Sequence, residues 1–184
     1  MTWEDFVRRI VTALDHADVP YMVTGSLASS YHGVPRGTRD VDVVIAPTRE
    51  QLEALVASFP QPRFYVGADA AREALERGGQ FNVIDSSSGL KADFIFRRDR
   101  PFSLREFERR ERVNLAGTPV WITNAEDAIV SKLEWARRSD SERQLEDVVA
   151  ILNTQSGQLD LAYIEHWVAE LALTAEWKRA QAQL

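Results

Sequence analysis

Hydrophobic residues follow two different spacings in the first two thirds of the chain, one typical of helices and one of strands. Trp3, Phe6 and Ile10 share one face of a helix, whereas Val41, Val43 and Ile45 alternate with other residues as in a half-buried strand. Helices are predicted at 2–17, 26–32, 48–58 and 68–77. Strands are predicted at 21–24, 40–45, 81–84, 90–96 and 118–122. Helices that alternate with short strands predict an α/β chain with a small mixed sheet.

The last third of the chain keeps only the helical spacing. Helices are predicted near 125–137, 141–153, 160–172 and 174–182. No linker rich in Gly, Pro or Ser separates this part from the rest, so we expect it to pack on the sheet. The prediction is therefore an α/β (α+β) fold with two parts, a core at residues 1–122 and a C-terminal helical bundle at 123–184.

Composition narrows the class of protein. The chain has 184 residues, of which 45% are hydrophobic, enough for a folded core. It has no cysteine, which excludes disulfides, thiolate zinc sites and cysteine nucleophiles. The three histidines lie far apart in sequence and have no metal-ligand spacing. Because no apolar run approaches the length of a membrane span and the N-terminus lacks signal-peptide features, we expect a cytoplasmic protein with no membrane partner.

Charge is unevenly distributed along the chain. A net charge of −6 disfavours a protein that coats nucleic acid through general electrostatics. Residues 97–112 nevertheless hold seven arginines against four acids, and residues 124–184 hold eleven acids against six bases. Two interpretations of the arginine-rich segment stay open. It is either a solvated helix face or a rim, formed by Arg97, Arg98 and Arg100, that attracts a triphosphate or RNA.

Two aspartates open the second predicted strand. Asp40 and Asp42 are two residues apart, so their side chains point to the same face while Val41 and Val43 enter the core. Two carboxylates at such a short distance repel one another unless a cation lies between them. Magnesium ions prefer such oxygen ligands and keep positions open for phosphate oxygens. The pair predicts a metal site, although it could also cap an exposed strand end without metal.

A glycine and a serine follow the first predicted strand and open a helix. Gly25 lets a ligand approach the backbone closely, and Ser26 can cap the helix and donate to a phosphate. The N-terminus of the helix adds free N–H groups and the positive end of the helix dipole. These two residues therefore predict a phosphate-binding turn, with a simple structural turn as the alternative.

The combination of Gly25-Ser26 with Arg36-x-Thr38-x-Asp40-x-Asp42 resembles the signature of the DNA polymerase β-like nucleotidyltransferase superfamily. Within it, the chain most resembles small bacterial members such as the AbiEii-type toxins. The resemblance implies a nucleotidyltransferase core and transfer of a nucleoside monophosphate from a nucleoside triphosphate to a hydroxyl acceptor. It also implies two Mg²⁺ ions held by the aspartates and a nucleotide bound through Gly25, Ser26, Arg36 and Thr38.

A third carboxylate is expected on a neighbouring strand. Asp93 is the lone acid within the apolar segment that runs from Lys91 to Phe96. In the resembled superfamily an aspartate on such a strand completes the metal shell and accepts the proton of the attacking hydroxyl, and Asp93 matches that position. The alternative is a strand-end aspartate that faces water opposite Lys91.

The helical part carries a second resemblance. Ser131-Lys132-Leu133, followed by Arg143-x-x-x-Asp147, is similar to the C-terminal pattern of AbiEii-type enzymes. There a helix lysine and a later aspartate line the nucleotide site, so Lys132 is expected to contact the triphosphate and Asp147 to orient it or the metal. The alternative is a helix–helix salt bridge between Lys132 and Asp147.

The acceptor is left open by these observations. RNA such as tRNA, a protein or a small molecule could supply the hydroxyl, and an AbiEii-like role in a toxin–antitoxin system would add an antitoxin partner. An antibiotic adenylyltransferase of the aminoglycoside type is a second function, because such enzymes share the Gly-Ser and Asp-x-Asp signature and an acidic helical part suits a cationic acceptor. A non-catalytic module that binds a nucleotide or a partner is a third.

Overall fold

The computed structural model describes residues 1–139 and 141–184, and a seven-stranded mixed sheet organises the first of its two compact units. The strands are β1 (Tyr21–Thr24), β2 (Asp40–Ile45), β3 (Phe64–Val66), β4 (Gln80–Asp85), β5 (Lys91–Phe96), β6 (Glu111–Leu115) and β7 (Thr118–Ile122). Their order is β3-β4-β5-β2-β1-β7-β6. The pairs β2–β5 and β1–β7 are parallel and the other pairs are antiparallel. This confirms the predicted mixed α/β fold.

Each of the two units is assembled from more than one stretch of the chain. The sheet unit consists of Met1–Thr24 and Thr38–Ile122, and the helical unit consists of Gly25–Gly37 and Thr123–Leu184. The segment Gly25–Gly37, which the sequence prediction included in residues 1–122, therefore belongs with the C-terminal helices. Within the described residues, no helix has the length and hydropathy needed to cross a membrane.

The helices of the sheet unit are α1 (Trp3–His16), α3 (Arg49–Ala57), α4 (Ala68–Arg77) and α5 (Pro101–Glu108). The first three begin within one residue of the predicted start, and α5 was not predicted. The Thr2 hydroxyl accepts a hydrogen bond from the backbone N–H of Asp5 and so caps α1. Thr48 and Gln51 form a reciprocal capping box at the start of α3. The N-termini of α1 and α3 are thus fixed by capping side chains that can be recognised in the sequence.

Three elements of the sheet unit were not predicted as separate elements, namely β3, α5 and β6. β3 has only three residues, too few to show a period. β6 is an edge strand whose side chains are largely exposed, so it lacks alternating hydrophobic residues. α5 begins at Pro101, which is favoured at the first position of a helix, and lies within the arginine-rich segment.

Over the residues that the structure describes, the helical unit contains five helices with buried apolar faces. They are α2 (Gly25–His32), α6 (Ala125–Ser139), α7 (Glu142–Thr154), α8 (Leu161–Glu170) and α9 (Thr174–Gln181). Ile129, Leu133 and Ala136 form the buried stripe of α6 that the sequence predicts. A Cβ atom at Gly33 would lie 3.0–3.2 Å from backbone atoms of Ser29 and of α7, so only glycine lets α2 end this close to α7.

Candidate functional site

The three predicted carboxylates lie on one face of the sheet, across two adjacent parallel strands. Asp42 on β2 is paired in register with Asp93 on β5, and Asp40 is paired with Lys91. Val41, Val43, Ala92 and Phe94 are buried on the other face. Because paired residues on neighbouring strands lie side by side, these polar side chains form one continuous group. We call Asp40, Asp42 and Asp93 the carboxylate row.

Lys91 lies among the carboxylates of this row. Its Nζ is 2.8 Å from Oδ2 of Asp93 and 4.0 Å from Oδ1 of Asp40. The hydrogen bond to Asp93 raises the pKa of Lys91, opposed by partial burial and reinforced by the charges of Asp93, Asp40 and Asp42. The side chain of Asp93 is 14% exposed and that of Asp40 is 55% exposed. Asp93 therefore pairs with Lys91 and is largely shielded from water, unlike the water-facing aspartate of the alternative, and its catalytic role stays a prediction.

The oxygen ligands of the carboxylate row suit magnesium in their chemistry. Within residues 1–139 and 141–184, however, no group of three or more His, Cys, Asp or Glu side chains is arranged to hold a metal ion. The ammonium of Lys91 lies where it neutralises two of the carboxylates. The donor atoms are those that a hard cation prefers, Lys91 now contacts two of them, and the metal assignment stays a prediction.

Thr38 supports the first aspartate of the row through the backbone. Its hydroxyl donates to the carbonyl oxygen of Asp40 at 3.0 Å and lies 3.4 Å from the backbone N–H of the same residue. These contacts fix the start of β2 immediately before the two aspartates. The nucleotide-binding role predicted for Thr38 is untested, and the contact that is present is structural.

A second polar group lies in the helical unit and centres on Asp147 of α7. Its Oδ2 is 2.7 Å from Nζ of Lys132 on α6 and 2.7 Å from Nη2 of Arg36. The Ser29 hydroxyl on α2 donates to the same oxygen at 3.1 Å. Arg36 also donates to the Ser26 hydroxyl at 3.4 Å. We call these five residues the Asp147 cluster.

The Asp147 cluster is built into the packing of its unit. The side chains of Lys132 and Asp147 are only 7% and 9% exposed, and that of Arg36 is 27% exposed. The predicted salt bridge between Lys132 and Asp147 is therefore present and buried. Two cationic groups face one carboxylate, so positive charge is in excess among these groups. Such an excess beside serine hydroxyls can attract a phosphate.

The glycine–serine turn has a special backbone at its first residue. Gly25 has a φ of +66°, in the left-handed region that glycine adopts without strain. The helix α2 begins at Gly25, so Ser26 lies in its first turn and does not precede the helix as an N-cap. The predicted capping role of Ser26 is therefore wrong, and its hydroxyl instead accepts from Arg36.

The arginine-rich segment is packed against aromatic rings of the sheet unit. The guanidinium of Arg110 lies 4.3 Å from the centre of the Phe107 ring and 5.2 Å from that of Trp121. Arg97 lies over Phe107 at 5.4 Å, and Arg100 donates to the hydroxyl of Ser103 at 2.9 Å. Some of the arginines in this segment therefore have a structural role, since they pack on aromatic rings. The rim role of Arg97, Arg98 and Arg100 is untested.

The structure thus brings the predicted residues together in two separate groups. The carboxylate row and Thr38 belong to the sheet unit, whereas Gly25, Ser26, Arg36, Lys132 and Asp147 belong to the helical unit. Sequence reasoning missed Ser29 as a member of the second group and the contact of Lys91 with Asp40 in the first. The proximity of Lys91 to the row could have been predicted from its i, i+2 spacing from Asp93, because this spacing places both side chains on one face of β5.

Solved structures with a similar fold are nucleotidyltransferases. The crystal structure of ANT(2″)-Ia in complex with adenylyl-2″-tobramycin superposes with a TM-score of 0.61 at 15% identity, covering 94% of this chain and 97% of that one. An antigenic nucleotidyltransferase-like protein from Paracoccidioides brasiliensis gives 0.58 at 16% identity over 95% and 90% of the two chains. This chain has the nucleotidyltransferase fold.

A third structure extends the comparison to another class of antibiotic. The lincosamide antibiotic adenylyltransferase LnuA, bound to lincomycin, superposes with a TM-score of 0.54 at 10% identity, covering 82% of this chain and 98% of that one. At the level of sequence, no family model and no curated protein matches the chain. The similarity at these identities concerns the fold.

Proposed function

We propose that this protein transfers a nucleoside monophosphate from a nucleoside triphosphate to a hydroxyl group, releasing pyrophosphate. The observation that carries the proposal is the register of β2 and β5, which puts Asp42 beside Asp93 on the same sheet face as Asp40. A nucleotidyltransferase fold with carboxylates at adjacent strand positions fits metal-assisted phosphoryl chemistry. Fold alone does not carry this conclusion, because one fold hosts many functions.

The carboxylate row supplies the ligands and the base in this proposal. Asp40, Asp42 and Asp93 would hold Mg²⁺, which when bound neutralises the phosphates and makes the acceptor hydroxyl more acidic. The acceptor oxygen forms a bond to the α-phosphorus, and the bond from that phosphorus to the α–β bridging oxygen breaks. Pyrophosphate leaves with the bonding electron pair. Asp93, whose side chain is 14% exposed, accepts the proton of the acceptor hydroxyl.

The Asp147 cluster supplies phosphate contacts in this proposal. Lys132 and Arg36 offer positive charge, and Asp147 holds both in place through one carboxylate oxygen. Ser26 and the backbone at Gly25 add hydrogen-bond donors at the start of α2. Thr38 would contribute to the nucleotide contacts by keeping the start of β2 in place. Lys132 then has two roles, as the salt-bridge partner of Asp147 and as a phosphate contact.

The proposal is tested by following the label from each of the four α-³²P-labelled nucleoside triphosphates. The full-length protein is incubated with Mg²⁺ and with separate pools of total RNA, cellular protein, cellular small molecules and aminoglycoside antibiotics. We expect one pool to gain label with the wild type and none with Asp42→Asn, whose melting temperature should equal or exceed that of the wild type because one crowded charge is removed. Asp69→Asn, on an exposed turn of α4, serves as the control and should keep full transfer.

An antibiotic adenylyltransferase is a second candidate, and a specific observation favours it. The solution structure of the antibiotic-resistance factor ANT(2″)-Ia covers 98% of this chain and 97% of its own length, with a TM-score of 0.58 at 15% identity. The acidic excess of residues 124–184 suits a cationic acceptor. Transfer of AMP to an aminoglycoside would support this candidate. Label in RNA would instead support the resemblance to AbiEii-type toxins and, with it, a search for an antitoxin partner.

Absence of label in every pool would contradict enzymatic transfer. Nucleotide binding without transfer would then leave the non-catalytic nucleotide-binding module as the function. These outcomes are separated by measuring triphosphate binding on the same preparation by calorimetry.

A further inference from the structure

Lys91 contacts two of the three carboxylates on which the proposed function depends. It is the first residue of β5, paired across the sheet with Asp40 and two residues before Asp93 on the same face. Its ammonium lies 2.8 Å from Asp93 and 4.0 Å from Asp40. A lysine ammonium is a compact point charge with three donors, so it can neutralise carboxylates that would otherwise repel one another.

The charges around Lys91 leave room for a further cation. The carboxylates of Asp93 and Asp40 both contact the one ammonium of Lys91, so negative charge is in excess among these three groups. The side chain of Asp93 is 14% exposed, so an unpaired charge there would be costly. Lys91 is 33% exposed and has a flexible stem, which allows its ammonium to leave the row while the strand stays in place.

We propose that Lys91 is an internal counter-cation, which neutralises the carboxylate row in the absence of metal and competes with a divalent ion for Asp93 and Asp40. This inference rests on the proposed function, since that function assigns the metal to the same carboxylates. In the absence of metal, the Lys91 ammonium takes the place of the divalent ion beside these carboxylates. Divalent binding must then displace an ammonium, so the apparent metal affinity is lower than the carboxylates alone would give.

The test measures metal binding directly, without any transfer reaction. Calorimetric titration of the full-length protein with Mg²⁺ alone and with Mn²⁺ alone compares the wild type with Lys91→Met, Lys91→Arg and Arg72→Met. Arg72 on α4 is the matched control, because it is also a half-exposed cation paired with carboxylates, those of Asp69 and Glu53. Melting temperatures are recorded in EDTA and in saturating Mg²⁺ for the same set.

We expect Lys91→Met to bind the divalent ion about twofold to fivefold more tightly, the range that a partly exposed ion pair can contribute. Its melting temperature should fall in EDTA and recover in Mg²⁺, giving a larger metal-induced shift than in the wild type. Lys91→Arg keeps the charge and should stay close to the wild type. Arg72→Met should leave the metal affinity unchanged.

Two results would overturn the inference while leaving the proposed function intact. In one, Lys91→Met binds metal as tightly as the wild type, and in the other it binds metal more weakly. If neither the wild type nor Lys91→Met binds a divalent ion, both the inference and the metal-dependent function are contradicted. Binding by Lys91→Met alone would support the inference in its strongest form.

Discussion

The two polar groups differ in how their charges are paired and how exposed they are. One is the carboxylate row of the sheet unit, and the other is the Asp147 cluster of the helical unit. In the row, the ammonium of Lys91 contacts the carboxylates of Asp93 and Asp40, and Asp40 remains 55% exposed. In the cluster, one carboxylate faces two cations, and both Asp147 and Lys132 are more than nine-tenths buried. The row therefore joins several carboxylates at a partly exposed surface, whereas the cluster is an ion-paired group buried in the packing of its unit.

This difference indicates which group depends on an external partner. A partly exposed row of like charges gains stability from an added cation, because water screens the repulsion only in part. A buried ion pair depends on its own partner, since removal of one charge leaves the other uncompensated. Substitutions in the cluster should consequently lower stability as well as weaken phosphate contacts, while substitutions in the row should mainly affect metal and nucleotide binding.

The largest expected effect on stability comes from Asp147→Asn. This change leaves Lys132 and Arg36 facing a neutral amide in a buried setting, which should cost about 3 kcal/mol in the free energy of unfolding. Urea denaturation would measure it. Glu146→Gln, one position earlier on the exposed side of α7, is the control and should change stability little. A stable Asp147→Asn variant would show that the cluster is not needed for packing.

A smaller effect is expected where α2 approaches α7. In Gly33→Ala the added methyl group would meet backbone atoms of Ser29, Ala150 and Ile151 at 3.0–3.2 Å, which should destabilise the protein by about 1–3 kcal/mol. The variant Gly37→Ala is the matched control, because a Cβ there meets nothing within 4 Å. Equal melting temperatures for the two variants would contradict the close packing that sets Ser29 beside Asp147.

The smallest effect is expected in the row itself. Asp40→Asn should change the free energy of unfolding by about 0.5 kcal/mol or less, because the carboxylate is half-exposed and its contact with Lys91 is long. The difference from the wild type should vanish in 1 M NaCl, whereas the deficit of Asp147→Asn should persist because buried pairs are screened little. A large loss of unfolding free energy in Asp40→Asn that persists in 1 M NaCl would contradict the difference between the row and the cluster.

The carboxylate row could be predicted from the sequence because its signal is local. Alternation along β2 fixes which face Asp40 and Asp42 share, and the apolar residues around Asp93 indicate a strand. The pairing of β2 with β5 is non-local and could be expected only through the resemblance. The five predicted strands are all present, and the sheet gains β3 and β6, whose sequences are too short or too exposed to show a period.

The Asp147 cluster was less predictable because it depends on contacts between distant segments. Arg36 and Asp147 are separated by 111 positions, and Ser29 and Asp147 by 118. The helical spacing of α6 places Lys132 beside the apolar stripe, but spacing alone does not reveal that Lys132 is buried and paired. The allocation of α2 to the helical unit likewise follows from packing around Gly33 and not from the order of the elements.

The central claim is that the carboxylate row binds a divalent ion in support of triphosphate binding. The most direct measurement is calorimetric titration of the wild type and of Asp42→Asn with a non-hydrolysable nucleoside triphosphate analogue, each with and without Mg²⁺. We predict that Mg²⁺ tightens analogue binding to the wild type by at least about tenfold, or about 1.4 kcal/mol, and has little effect on Asp42→Asn. Equal tightening in both proteins, or wild-type binding that is indifferent to Mg²⁺, would contradict the claim.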